Sequence, residues 1–88
     1  MSQENSFEEL KNLFAADLTE KVKLLQVAVR ETNWETIARI SHQIKGTAKS
    51  FGFTEVSVLA DELEQSAAQK MFEKTVEIIR EISDRSVL

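Results

Sequence analysis

The sequence predicts an all-α fold, an antiparallel up-down four-helix bundle. Three observations carry that expectation. The 88 residues contain no proline and only two glycines, Gly46 and Gly52, which favours long uninterrupted helices over a turn-rich β fold. Apolar residues recur at steps of three and four, the spacing of one helical face. A chain of this length hides only about 60% of its unfolded surface on folding, so a single domain spanning 1–88 and built of two helical layers is what it can support.

Helix 1 is expected over 6–31. Ser6-Phe7-Glu8-Glu9 has the Ser-x-x-Glu form of a capping box, in which hydroxyl and carboxylate satisfy free amides at a helix start. Phe7, Leu10, Phe14, Leu18, Leu25 and Ala28 form its apolar stripe, widened by Leu13, Val22 and Val29. Thr32-Asn33-Trp34-Glu35 repeats the capping-box spacing, so the chain turns there with hardly any loop and enters helix 2, expected over 33–51. Short connections make neighbouring helices antiparallel.

Gly52 suits the left-handed residue just past the end of helix 2. Helix 3, expected over 54–69, can be capped by Thr54 and stapled by Phe53 against Val58; it carries Val56, Leu59, Leu63 and Ala67 inward. Helix 4, expected over 71–85, presents Phe72, Val76, Ile79 and Ile82. No proline, glycine or strong cap marks the boundary between helices 3 and 4, which is placed from bundle geometry. Trp34 and the phenylalanines read as packing residues.

Composition removes several classes of function. With 11 Lys plus Arg against 15 Asp plus Glu, the net charge is −4, which argues against nucleic-acid binding. The absence of cysteine excludes a disulfide framework, a thiolate metal site and a cysteine nucleophile. No apolar run approaches the roughly 18 residues needed to span a bilayer, and Met1-Ser2-Gln3-Glu4-Asn5 lacks the regions of a signal peptide. The expectation is a cytoplasmic monomer without membrane association, and the initiating Met1 with so self-contained a length favours a free-standing protein.

One segment carries the chemistry. With each residue advancing about 100° around a helix, Ile37, Ile40, Ile44 and Phe51 gather opposite the single histidine, His42, so its imidazole points to water. Ala38, Arg39, Lys45, Gly46 and Lys49 fall within roughly 60° of it. Gly46 costs about 1 kcal/mol relative to alanine inside a helix, so a missing side chain one turn beyond the histidine points to access. Between Glu35 and Glu55 there is no acidic residue, and a positive island in an acidic chain suggests an anionic ligand or a negatively charged partner surface.

Imidazole has an unperturbed pKa of about 6.5, so near neutral pH a free ring nitrogen is a competent nucleophile. A carboxylate accepting the other N–H would fix tautomer and orientation. His42 precedes the Gly52 turn by about ten residues, which places its antiparallel neighbour near residue 62, give or take a turn; Glu62 and Glu64 are both candidates. Lys45 and Lys49 lie one and two turns beyond His42 and can offset the charge of an anionic ligand there. No nucleotide-binding glycine loop and no carboxylate cluster for magnesium accompanies them.

His42-Gln43-Ile44-Lys45-Gly46, followed by Phe51-Gly52, Leu59 and Leu63-Glu64, resembles the histidine-containing phosphotransfer (HPt) domain of multistep two-component relays over essentially the whole chain. The resemblance implies that His42 accepts a phosphoryl group from a receiver's phosphoaspartate and passes it to another receiver. It favours Glu64 as the group orienting His42. It also implies receiver domains and a hybrid sensor kinase as partners, Mg²⁺ supplied by the receiver, no cofactor or metal of the chain's own, and a phosphocarrier rather than an enzyme. Lys45 would be the primary phosphoryl-stabilising cation, Lys49 an auxiliary one, and Ala38, Arg39 and Gly46 the partner-docking surface. Two alternatives stand beside it. The dimerising hairpin of a sensor kinase typically has a proline soon after its histidine, where this chain has Gly46-Thr47. A structural or adaptor bundle would carry an incidental histidine.

Overall fold

All three turns among the described residues close with one backbone device. After each helix a residue enters the left-handed region, and the next amide reaches back five residues: Asn33 to the Ala28 carbonyl at 2.8 Å, Phe53 to Ala48 at 2.8 Å, and Met71 to Ser66 at 3.0 Å. The left-handed residues are Thr32 (φ 50°), Gly52 (φ 80°) and Lys70 (φ 57°). These are Schellman turns, which satisfy otherwise orphaned carbonyls and reverse the chain within three residues. The structure, a computed structural model, describes residues 3–86 and the side chains of residues 7–86. The helices so joined are α1 (Gln3–Arg30), α2 (Trp34–Phe51), α3 (Thr54–Ala68) and α4 (Phe72–Ser86).

Each helix packs on two neighbours, α1 on α2 and α4, and α3 on α2 and α4. This is the expected up-down bundle. The α2–α3 pair is the most extensive, and small residues line it: Ser41, Ala48 and Ala60 are all fully buried, which lets the two backbones approach. Ser41 stays satisfied there by donating to the Ile37 carbonyl at 2.6 Å. Leu18 and Leu25 of α1, Ile37 and Ile44 of α2, Leu63 of α3 and Ile82 of α4 converge on the centre of the core. The Phe53 ring stacks on Phe14 at 4.6 Å between centroids, fastening the α2–α3 turn to α1.

Several local expectations are corrected. Helix α1 begins at Gln3, so Ser6 lies inside it rather than at its start; the Ser6 side chain falls outside the described ones. Phe7, Leu10 and Leu13 are exposed, because 28 residues make a helix about 42 Å long and α2, with 18, does not reach its first turns. Asn33, not Thr32, caps α2, accepting from the Thr36 amide at 3.2 Å. Thr54 is the first helical residue of α3, which has no side-chain cap. Phe53 packs on Phe14 instead of stapling Val58, which is exposed. Phe51 is likewise half outside the core, its ring tilted against Phe14 at 5.8 Å.

The face of α4 is rotated from the one expected. Thr75 and Ile78 are buried with Ile79 and Ile82, while Phe72 is exposed. The reason is polar: Thr75 and Ser66 share a buried 2.8 Å hydrogen bond between α3 and α4. No helix among the described residues is long and apolar enough to cross a membrane.

Candidate functional site

His42 sits in the middle of α2, between the fully buried Ser41 and the core residue Ile44 two positions on. Its neighbours are anchored in the core, so the helix cannot turn to hide it. The imidazole is 70% exposed. Across the α2–α3 pair, Glu64 brings Oε2 to 3.4 Å from His42 Nδ1, which is long for a hydrogen bond. Glu62, the other candidate, is exposed and lies farther round the wall of the cleft beside His42.

Glu64 serves a second group with its other oxygen. Lys45 Nζ lies 3.1 Å from Glu64 Oε1 and 3.1 Å from Asp61 Oδ1. These hydrogen bonds, that to Glu64 first and that to Asp61 second, hold the Lys45 amine above the ordinary lysine range. Asp61 is fixed in turn by Gln65, whose Nε2 donates to Oδ2 at 2.9 Å. Histidine, glutamate, lysine and aspartate thus form one continuous polar chain over the α2–α3 seam.

A cleft runs along this seam, lined in part by His42, Gly46, Lys49, Ser57, Val58 and Asp61. Gly46 forms its open side: a Cβ built there meets nothing within 4 Å. The fold itself therefore gives no steric reason for a glycine at this place. Ala38 is half-buried against the core one turn before His42, and Arg39 is exposed beside it. Neither Arg39 nor Lys49 has an ion-pair partner among the described residues.

The site is less cationic than α2 alone suggested. Lys45 is paired with Asp61 and Glu64 of α3, and Asp61 and Glu62 line the same cleft as Lys49. Asp61 escaped the sequence reading altogether. Its signal was available, since it stands three residues before Glu64 and so on the same face of a helix. Among the described residues no three His, Asp or Glu side chains are grouped to hold a metal ion.

Chemically, the arrangement offers one nucleophilic nitrogen on a rigid helix, an acceptor behind the ring, and cations beside it. A family model described as the Hpt domain matches residues 9–85. No curated protein and no solved structure matches the chain.

Proposed function

The chain belongs to the Hpt domain family, whose members carry phosphoryl groups in two-component signalling and are not enzymes, and from that premise we propose that His42 is the residue that accepts and returns the phosphoryl group. The observation that supports this reading is the pose of the imidazole: exposed, with Nδ1 toward Glu64 and Nε2 free of protein partners among the described residues.

In this reading a receiver domain docks over α2, Gly46 and Ala38 leaving room for its acidic pocket and Arg39 lying at the rim. The neutral imidazole holds its proton on Nδ1, where Glu64 orients it, so the lone pair on Nε2 faces the incoming phosphorus. Nε2 attacks in line, the P–O bond to the receiver's aspartate breaks, and its electron pair leaves with the carboxylate. Lys45 and Lys49 offset the charge that arrives. The receiver supplies the Mg²⁺ and with it much of the electrostatic stabilisation. A second receiver reverses the step. The protein acts as a monomer, its hybrid-kinase partner presenting a receiver of its own.

Incubation with a phosphorylated receiver tests the reading. The expected result is an acid-labile, base-stable label on the wild type and none on a folded His42→Gln variant. ATP alone should give no label, whereas a sensor-kinase fragment bearing its catalytic half would label itself. A structural bundle would stay unlabelled throughout, and a labelled His42→Gln variant would move the site elsewhere.

A further inference from the structure

We infer that Asp61 is a positioning residue for Lys45 and that, by holding the ammonium toward α3, it limits how firmly His42 retains a phosphoryl group; the inference rests on the phosphocarrier reading above. Glu64 is needed at the imidazole, where one oxygen faces Nδ1. Asp61 makes no contact with His42 within ion-pair range; its oxygens go to Lys45 at 3.1 Å and to Gln65 at 2.9 Å. Its place is braced, and what it braces against is the lysine one turn from the nucleophile.

A phosphoryl group on Nε2 brings close to two negative charges. Lys45 is the cation best placed along the helix to meet them, yet two of its three N–H donors are already given to carboxylates on α3. Every bond it keeps to Asp61 is one withheld from the phosphoryl oxygens. Asp61 also stands on the wall of the cleft that includes His42, where its own charge opposes the same group. During transfer the N–P bond forms as the aspartyl P–O bond breaks, and the Nδ1 proton stays in place. The balance of that exchange therefore depends on how well the phosphohistidine is stabilised, and Asp61 weakens it. Such a carrier gives its load up readily.

The test is the equilibrium between phosphorylated receiver and wild type, Asp61→Asn or Glu62→Gln protein, each shown to be folded by circular dichroism. Glu62→Gln removes an equal charge from the same cleft without touching Lys45. The expected result is a shift toward phosphohistidine of about two- to fivefold for Asp61→Asn, the size of a partly exposed charge pair, and little change for Glu62→Gln. Reactivity of Lys45 toward an amine-modifying reagent should rise in Asp61→Asn alone. An unchanged equilibrium, or equal shifts in both variants, would overturn the inference while leaving the phosphocarrier reading intact; a wild type that takes no label would instead overturn that reading.

Discussion

Glu64 Oε2 of α3 stands 3.4 Å from His42 Nδ1 of α2, the nitrogen that keeps its proton in the proposed transfer. The contact directs Nε2 outward. Phosphorylation is accordingly expected at Nε2, observable by nuclear magnetic resonance of the ring. Glu64→Ala frees the ring and leaves Nδ1 without its acceptor. The loss of this orienting contact, worth at most as much as a hydrogen bond of about 0.5–1.5 kcal/mol, should slow transfer by up to about tenfold in rapid-quench assays. Glu64→Gln retains an acceptor oxygen and should lose less.

At Gly46 the needs of the fold and those of the proposed receiver partner can be tested apart. A Cβ there meets nothing, so Gly46→Ala should stabilise the free protein by about 1 kcal/mol through helix propensity alone. A large residue such as Gln should likewise preserve helicity while slowing transfer from a receiver, because it fills the space over the cleft. Denaturation and transfer rates measured on the same variants would check the two effects separately. Destabilisation by alanine would mean that the glycine serves the bundle.

Helix number and order, and the limits of α2, were legible because they depend on local chemistry: apolar spacing, short polar turns and Gly52, whose φ of 80° marks the left-handed residue expected past the helix end; the start of α1 was not, because the Ser-x-x-Glu spacing at Ser6 lies inside the helix. The exposure of His42 was legible for the same reason, since Ile37, Ile40 and Ile44 define the buried face of its own helix. What lay hidden involves two helices at once. The three-residue spacing from Glu64 puts Asp61 on the right face of α3, but its bond to a lysine 16 residues away and the inward pull of Ser66 on Thr75 are not visible in the periodicity of one segment. The expected burial of Phe7, Leu10 and Leu13 failed because periodicity describes a face and not how far its partner helices extend.

The turns yield a stability prediction. Thr32 and Lys70 occupy left-handed backbone at φ 50° and 57°, a region that costs a residue with a Cβ roughly 1–2 kcal/mol. Glycine removes that cost but adds its own conformational entropy of about 0.5–1 kcal/mol. Thr32→Gly and Lys70→Gly should each stabilise by about 0.5–1 kcal/mol net, more at Thr32 because its side chain is β-branched. Urea unfolding of each variant measures the change, and loss of stability in both would contradict the Schellman assignment.

The last prediction concerns pH and follows from Lys45. Hydrogen bonds to Glu64 and then Asp61 raise its proton affinity in the folded state. A group whose folded pKa exceeds its unfolded value binds more protons when folded, so stability falls with rising pH across the interval between the two. The contribution is therefore whole below the unfolded lysine value of about 10.4 and is lost as pH climbs through the folded one. The stability gap between wild type and Lys45→Met should stay level from neutral pH to about pH 10 and narrow above it. It should also be small and salt-sensitive, since the side chains of Lys45 and Asp61 are 31% and 46% exposed. Urea titrations of both proteins at matched alkaline pH isolate this term, because the other lysines cancel in the difference. A gap that widens above pH 10 would show that Lys45 does not hold its two carboxylates in solution.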